Sequence, residues 1–467
     1  MLSHAQKVQA IRNQVKKFYK LKKKVRIYHS TTTTTRKINF KKGEIIDISD
    51  LNEILEINEK EKYLIAEPNV SMEKLFKESV KVGLIPPVVM ESPSITVGGG
   101  IQGGAGESGS FKWGGFHQTC LEYEIILGDG SIIEASRSKN SDLFWGIACS
   151  YGTLGIITKV KLKLISAAKY VQVSYYRTQT FSENLELIKK FVTEPIDFIE
   201  SIIYSPKKGI VIVGRYSNRA NLPISKFTRA FDEWFYMHAE RIISKHTRYE
   251  ELLPLKDYIF RHDRGVFWTG EYVFRLLKIP FNRITRFLLN PIFNYKRASR
   301  FLQDINISQK YIVQDICISI ENVLSFLNFS DKKTKIYPIF LIPAAPSGQN
   351  DKLSPGFLKT DLFIDVCLYA IIKADYSKVY KLNRDIEIKA AELDGRKWFY
   401  AHVFYPKEKF WEIYDYNWYK KMREKCHAEE VFPDIYEKVY VSEKYKTWSF
   451  KSLLNILKSP FKLPVSS

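Results

Sequence analysis

The spacing of apolar and polar positions changes character along the chain. Within residues 5–24, Val8, Ile11, Val15 and Phe18 recur at helical spacing among basic and polar neighbours, which predicts an amphipathic basic helix. Residues 25–28 read as a short strand that runs into a polar turn, His29-Ser30-Thr31-Thr32-Thr33-Thr34-Thr35-Arg36. Residues 45–48 and 63–66 read as further short strands, and residues 51–55 and 72–83 as helical. Residues 121–127 and 131–135 flank Gly128-Asp129-Gly130 and predict a hairpin, because Asp-Gly between apolar runs favours a tight reversal. Residues 156–164 alternate as a strand, with Ile157, Lys159, Lys161 and Lys163 on one face. After about residue 166 the chain turns to longer helices and strands rich in aromatics. A length of 467 residues exceeds what one core supports, so we divide it into 1–166, 167–440 and a basic amphipathic tail, 441–467.

Composition narrows the class. A hydrophobic share of 45% with 26% charged residues is that of a globular protein. The formal net charge of +21 creates a field that attracts phosphates, anionic lipids or nucleic acid. No zinc-finger spacing, helix-turn-helix pattern or RNA-binding aromatic signature accompanies the charge, so nucleic-acid binding is set aside. The basic surface is then either simply solvated or suited to an anionic membrane. The five cysteines (Cys120, Cys149, Cys317, Cys367 and Cys426) are odd in number and widely spaced, which reads as free thiols in a reducing compartment. The N-terminus carries no apolar signal-peptide core, and no uncharged apolar run approaches the ~20 residues of a spanning helix. The expectation is a cytoplasmic protein, at most peripheral on a membrane.

Glycine is distributed unevenly: nine of 23 fall between residues 98 and 115. The segment reads Thr96-Val97-Gly98-Gly99-Gly100-Ile101-Gln102-Gly103-Gly104-Ala105-Gly106-Glu107-Ser108. Glycines let main-chain amides approach an anion closely and permit the nests that cradle phosphate, which a dinucleotide diphosphate requires. The plain alternative is a mobile loop or a packing turn. Gly98, Gly100 and Gly103 also satisfy G-x-G-x-x-G, but a Rossmann site needs a strand before and a helix after. Ser92-Pro93-Ser94 interrupts the approach, and glycine and serine stand where the helix would begin, so that reading is rejected.

Several segments together resemble one family. Arg26-Ile27-Tyr28-His29-Ser30-Thr31, Glu67-Pro68-Asn69-Val70 and the stretch from Gly83 to Glu91 resemble the flavin domain of the vanillyl-alcohol-oxidase superfamily. The nearest likeness is to the Δ24-sterol reductase group. The glycine segment, Ser110-Phe111-Lys112-Trp113-Gly114, Asp142-Leu143-Phe144-Trp145-Gly146 and Gly152-Thr153-Leu154-Gly155-Ile156-Ile157-Thr158 are similar to that group's FAD-binding stretch. Val313-Gln314-Asp315, Ile336-Tyr337-Pro338-Ile339, Phe410-Trp411-Glu412-Ile413-Tyr414-Asp415 and Phe432-Pro433-Asp434-Ile435-Tyr436 extend the likeness, so it covers about residues 8 to 440.

The resemblance implies an α+β flavoprotein: a two-subdomain PCMH-type FAD-binding domain plus a cap domain with an antiparallel sheet and flanking helices. It implies that main-chain groups of Ser30, Thr31, Thr32, Thr33 and Thr34 touch the diphosphate from one side. Thr96–Gly99, Gly103 and Ser108 would hold it from the other, within the wider cofactor segment 96–108. Gly152, Ile156 and Ile157 would follow, the two isoleucines along the isoalloxazine edge. It also implies a sterol-like alkene as substrate and NADPH as electron donor, and no independent nicotinamide motif is found. An FAD-linked oxidase or dehydrogenase of an alcohol or hydroxy acid is the second reading, and a flavin-free membrane-associated scaffold the third.

Single residues carry paired readings. His29 stands where some relatives attach flavin covalently, and here a noncovalent loop histidine is favoured. His117 contacts flavin or turns a loop. His262, with Asp263 and Arg264, lines the cavity or forms a surface salt-bridge group. Tyr400 and His402 alternate on an expected strand and are candidate proton donors, since alkene reduction needs a proton as well as a hydride; the plain reading is core-facing aromatics. The eight histidines show no metal-ligand spacing, so no metal site is expected. Residues 273–293 and 448–463 mix Phe, Leu and Ile with Lys and Arg, and either lie in an anionic interface or dock on the protein's own core.

Overall fold

The computed structural model describes residues 2–30, 34–36, 38, 40–276, 278–291, 293, 311–441 and 465–466. The first helix, α1 (His4–Lys20), starts at a capping box between Ser3 and Gln6 and buries Val8, Ile11, Val15 and Phe18, the stripe that the sequence spacing marks. Arg26–Tyr28 pairs in parallel with Ile45–Asp47. A five-stranded antiparallel sheet follows. Its strands are β1 (Ile54–Asn58), β2 (Tyr63–Ala66), β3 (Cys120–Ile126), β4 (Ile132–Ser136) and β5 (Ile156–Lys163), in the order β1-β2-β5-β3-β4.

The β3–β4 hairpin closes because Asp129 Oδ1 accepts the Ser131 amide at 2.8 Å while Gly130 takes φ +82°. Strand β5 buries Val160 and Leu162 and leaves Lys159, Lys161 and Lys163 outward. One expectation fails here. Residues 51–55 begin a strand instead of a helix, since Ile54 pairs with Ala66 and the Glu67 carboxylate accepts the Glu53 amide at 2.8 Å. Five residues cannot sustain a helix against a sheet partner.

The second sheet is antiparallel and has eight strands: β6 (Tyr170–Thr178), β7 (Phe198–Ser205), β8 (Lys208–Ser217), β9 (Arg248–Pro254), β10 (Tyr311–Ser319), β11 (Ile339–Ala344), β12 (Phe363–Ile371) and β13 (Arg396–Lys397). Their order is β9-β6-β8-β7-β11-β12-β10-β13. Side chains alternate across a strand, so parity sorts them between two faces. Ile312, Ile316, Leu341, Ile364, Val366 and Leu368 pack in one core with the helices α2 (Phe181–Phe191), α3 (Val323–Lys333) and α4 (Tyr376–Glu392). The opposite parity sends Asp315, Phe340, Ile342, Asp365, Cys367 and Tyr369 to a cavity shared with the first sheet's loops.

Residues 407–440 pack back on the first unit. Val25 N–H donates to Val431 O at 2.8 Å, and the Arg423 guanidinium donates to Thr153 O at 2.8 Å. Residues 273–293 divide their two readings. Phe274 is fully buried and stacks on Phe293 at 4.7 Å, whereas Ile284, Phe287 and Leu288 are exposed. Residues 448–463 lie outside the described residues. No described helix is long and apolar enough to cross a membrane.

Gly128 shows how tightly the returning segment docks. Its amide donates to Cys426 O at 2.9 Å, and a Cβ there would run into the carbonyl of His427. Gly128→Ala should cost about 1–3 kcal/mol through overpacking. Thermal denaturation should then show a Tm lower by a few degrees, while an unchanged Tm would mean that this docking is loose.

Candidate functional site

The glycine segment forms the cavity floor. It folds as a short helix, Val97–Gly103, where the sequence suggested a loop. Thr96 caps it by accepting the Gly99 amide at 3.1 Å, buried Val97 and Ile101 anchor it, and Gly104 ends it at φ +64°. Residues 91–95 form no strand before it, so the geometry differs from a Rossmann turn. The glycines divide by role. A Cβ at Gly98 would stand 2.8 Å from Pro68 Cβ, and one at Gly100 would enter the Met90 side chain. At Gly103 a Cβ would meet nothing within 4 Å, yet Gly103 lines the cavity. Gly98 and Gly100 therefore allow close packing, and Gly103 keeps main chain bare toward the open space.

Most of the sequence-derived cofactor segment faces this space. Thr34, Thr96, Gly98, Gly99, Gly100 and Gln102 line it, as do Ala105, Gly106 and Glu107, and from the other side Gly152, Ile156 and Ile157. Ser30, Val97, Ile101, Gly104 and Ser108 are not among the lining residues. Ser30 adopts φ +62°, Gly104 O accepts the Trp398 indole N–H at 2.8 Å, and the Ser108 hydroxyl lies 3.3 Å from that of Tyr258. Thr31, Thr32 and Thr33 lie outside the described residues. Gln102 holds the two sides together, its Oε1 accepting the Gly152 amide at 2.8 Å.

A cationic corner lies beside the floor. Arg26, Arg36 and Lys438 all line the cavity. Burial lowers Lys438 to about 7, and the neighbouring charges of Arg26 and Arg36 add to that. His29 lines the same corner. Burial and then Lys438 lower it to about 4, so it is neutral at pH 7, and its Nδ1 has no hydrogen-bond partner among the described residues. Glycine main chain without side chains of its own, clustered cations and a neutral imidazole suit the diphosphate and ring system of FAD, and among the described residues no side chain fills the cradle.

The opposite wall is apolar with acids set into it. Phe267, Phe340, Ile342 and Trp398 supply apolar surface. Asp315 and Asp365 lie among them. Burial raises Asp315 to about 6, although Tyr400, Tyr369 and Cys367 hydrogen-bond it and restrain the rise. Asp365 is raised well above the carboxylate range, first by burial and then by Asp315. Glu91, on the floor side, is raised to about 8 by burial and by nearby Glu107. The sequence reading missed these acids as site residues. For Asp315 and Asp365 the signal was a carboxylate inside a mostly apolar strand, Ile312-Val313-Gln314-Asp315-Ile316 and Phe363-Ile364-Asp365-Val366.

Of the candidate proton donors, Tyr400 lines the cavity and His402 and His262 do not. Residues 398–402 form a turn, not the expected strand, because the first loop claims their backbone: Thr34 Oγ1 donates to Tyr400 O at 2.6 Å and Arg36 donates to Ala401 O at 2.6 Å. His402 sits behind that turn, 2.8 Å from Thr35 Oγ1, and burial with the charges of Arg36 and Lys397 lowers it to about 3. His262 is buried, stacks on Phe267 at 4.5 Å and lies 3.2 Å from Glu200 Oε2. Burial, the largest effect, lowers its pKa despite that carboxylate. His117 is buried 2.6 Å from Asp351, outside the cavity lining.

Two trios of donor atoms lie within 4.8 Å of one another, His117, Cys149, Asp351 and Asp315, Asp365, Cys367. Burial pushes Cys149, Cys367 and Asp365 well up, so each would have to give up its proton before holding a cation.

Gly103 separates packing from binding. Gly103→Leu should fold with a near-native Tm and weaken FAD at least tenfold, equivalent to about 1.4 kcal/mol. Flavin titration of the apoprotein measures this, and native affinity in the variant would remove Gly103 from the cradle.

Comparison with known proteins agrees with this geometry. The FAD binding domain family matches residues 2–136. The Delta(24)-sterol reductase of Homo sapiens is 28% identical over 459 residues, covering 93% of this chain and 86% of the relative. The Delta(24)-sterol reductase homolog of Caenorhabditis elegans is 27% identical over 94% of this chain and 87% of the relative. Cytokinin dehydrogenase 3 of Arabidopsis thaliana is 26% identical over 43% of this chain and 40% of the relative. The chain is an FAD-linked oxidoreductase with a PCMH-type FAD-binding domain, homologous over about 93% of its length to Delta(24)-sterol reductases.

Proposed function

We propose that the protein reduces a carbon–carbon double bond of a sterol-like lipid, with FAD as cofactor and NADPH as electron donor. One observation carries the reading: a single cavity joins the bare glycine floor and cationic corner to an apolar wall. The near full-length likeness to Delta(24)-sterol reductases supports the substrate class. When bound, FAD supplies hydride transfer at N5 and carries the redox work.

The chain's own residues supply the rest. The glycine floor, where main chain is open to the cavity at Gly103, holds the diphosphate together with Arg26, Arg36 and Lys438. Phe267, Phe340 and Trp398 receive the apolar substrate and exclude water. Of the three candidate proton donors we keep Tyr400 at the cavity. We assign His402 and His262 positioning roles, through Thr35 and Glu200. Ile284, Phe287 and Leu288, exposed beside Arg283 and Arg286, support a peripheral contact with anionic membrane, where such a substrate resides.

The second reading, an FAD-linked dehydrogenase of a polar substrate, draws on the partial likeness to cytokinin dehydrogenase 3. Anaerobic stopped-flow separates the two. Fast bleaching of the flavin by NADPH, followed by a two-hydrogen mass gain in a Δ24-unsaturated sterol, is the expected result. Bleaching only by an alcohol substrate would establish the second reading instead.

The cationic corner gives a pH dependence. Lys438 must be charged to attract the diphosphate, and its pKa near 7 means that charge is lost as pH rises. FAD affinity should fall between about pH 6.5 and 9 as Lys438 deprotonates. In Lys438→Met affinity should be lower and nearly flat over that range. A wild-type profile that is flat as well would exclude Lys438 from diphosphate binding.

A further inference from the structure

The cap wall holds a proton-storing group that the cofactor chemistry leaves unassigned. Asp315 on β10 and Asp365 on β12 lie on adjacent antiparallel strands, in the register Asp315↔Cys367 and Cys317↔Asp365. They are diagonal neighbours on one face of the sheet. Carboxylate oxygens of the two acids and Cys367 Sγ come within 4.8 Å of one another. Both acids line the cavity, and Oδ1 of each is buried without a hydrogen-bond partner among the described residues.

Two carboxylates so placed repel strongly where water is scarce. The groups that face them are Cys317, Cys367, Tyr369, Tyr400, Lys397 and, across the cavity, Glu91. Lys397 is the cation among these, and its ammonium is held by Glu387 at 2.9 Å and Gln314 at 2.6 Å. Its charge is engaged there, so one proton on the pair is the economical arrangement. The Tyr400 and Tyr369 hydroxyls, 3.4 Å apart, both line the cavity and adjoin Asp315, which makes a path for proton exchange.

We propose that Asp315 and Asp365 share one proton at the cavity wall and that this carboxyl is the acid that protonates the substrate alkene. The assignment rests on the reductase reading above. In the step, the alkene π pair forms a C–H bond to the carboxyl proton, and the other alkene carbon accepts a hydride from the reduced flavin. The carboxylate left behind regains its proton from solvent through the Tyr400 and Tyr369 hydroxyls. Tyr400 is then a conduit and the acid pair the source.

The test uses the FAD-loaded full chain as wild type, Asp315→Asn, Asp365→Asn and the double variant. Asparagine keeps the shape, and retained flavin absorbance shows that each protein is folded. Infrared difference spectra of wild type against the double variant at pH 8 should show a protonated-carboxyl band that belongs to the pair, beyond the Glu91 contribution common to both proteins. Bleaching by NADPH should stay within about twofold of wild type. Reoxidation by a Δ24-unsaturated sterol carried in cyclodextrin should slow about 100-fold in the double variant, the scale of a lost general acid, with KM little changed.

Stability gives an independent readout. An acid raised in the folded state binds its proton more tightly there than in the unfolded chain. Wild-type stability should therefore fall as pH rises from the unfolded value of about 4 through 6 and beyond, and the asparagine variants should gain more Tm at pH 8 than at pH 4. A difference spectrum with no such band at pH 8 overturns the shared proton. A raised KM with an unchanged reoxidation rate makes the pair an anchor for a substrate hydroxyl and overturns its role as acid. If the sterol never reoxidises wild-type flavin while the band still disappears in the variant, the reductase reading fails, and the acid role with it, but the shared proton stands.

Discussion

The buried guanidinium of Arg261 is the interaction on which the cavity's shape depends. It donates to Glu200 of the cap sheet, to Ser108 Oγ at 3.2 Å and to Tyr258 O at 2.6 Å, and lies 3.7 Å from Glu107. Burial alone would raise Glu200, but Arg261 and then His262 hold it down at about 2. Stranding a buried charge by removing its partner costs roughly 3–5 kcal/mol, so this cluster locks the end of the glycine segment to the cap. Floor and wall are thereby held at one separation, and everything that binds between them meets fixed surfaces.

Strand parity then decides which side chains reach that space. In β10 and β12 the isoleucines, valine and leucine of one parity build the core under α2, α3 and α4. The other parity carries Asp315, Asp365, Cys367 and Tyr369 to the cavity. A shift of one residue in register would bury the acids among helices and turn isoleucines toward the cavity. The same strands therefore supply the cap's stability and its chemistry, and the two cannot be varied independently.

Electrostatics divides the cavity into two ends. The Arg26, Arg36 and Lys438 corner suits a diphosphate, while burial in the cap wall raises the pKa values of Asp315 and Asp365. Buried histidines add no charge at either end, because burial lowers His29 and His402 far below neutrality. The strong positive charge of the whole chain reaches the site through three side chains held by main-chain and tertiary contacts.

The hydrophobic stripe of α1, the Asp-Gly hairpin and the alternation of β5 follow from local spacing, and the clustering of glycines marks the segment that floors the cavity. Each rests on contacts between residues close in sequence, so the order of residues was enough to determine them. The helix across the glycines, the turn at 398–402 and the start of β1 were decided elsewhere. A threonine cap with buried anchors, the Thr34–Arg36 loop and pairing with residues 63–66 each overrode local preference. The meeting of Asp315 with Asp365, fifty residues apart, belongs only to the tertiary structure. Strand order in a sheet and the pairing of buried charges depend on which distant segments exclude water from one another, and no local pattern encodes that choice.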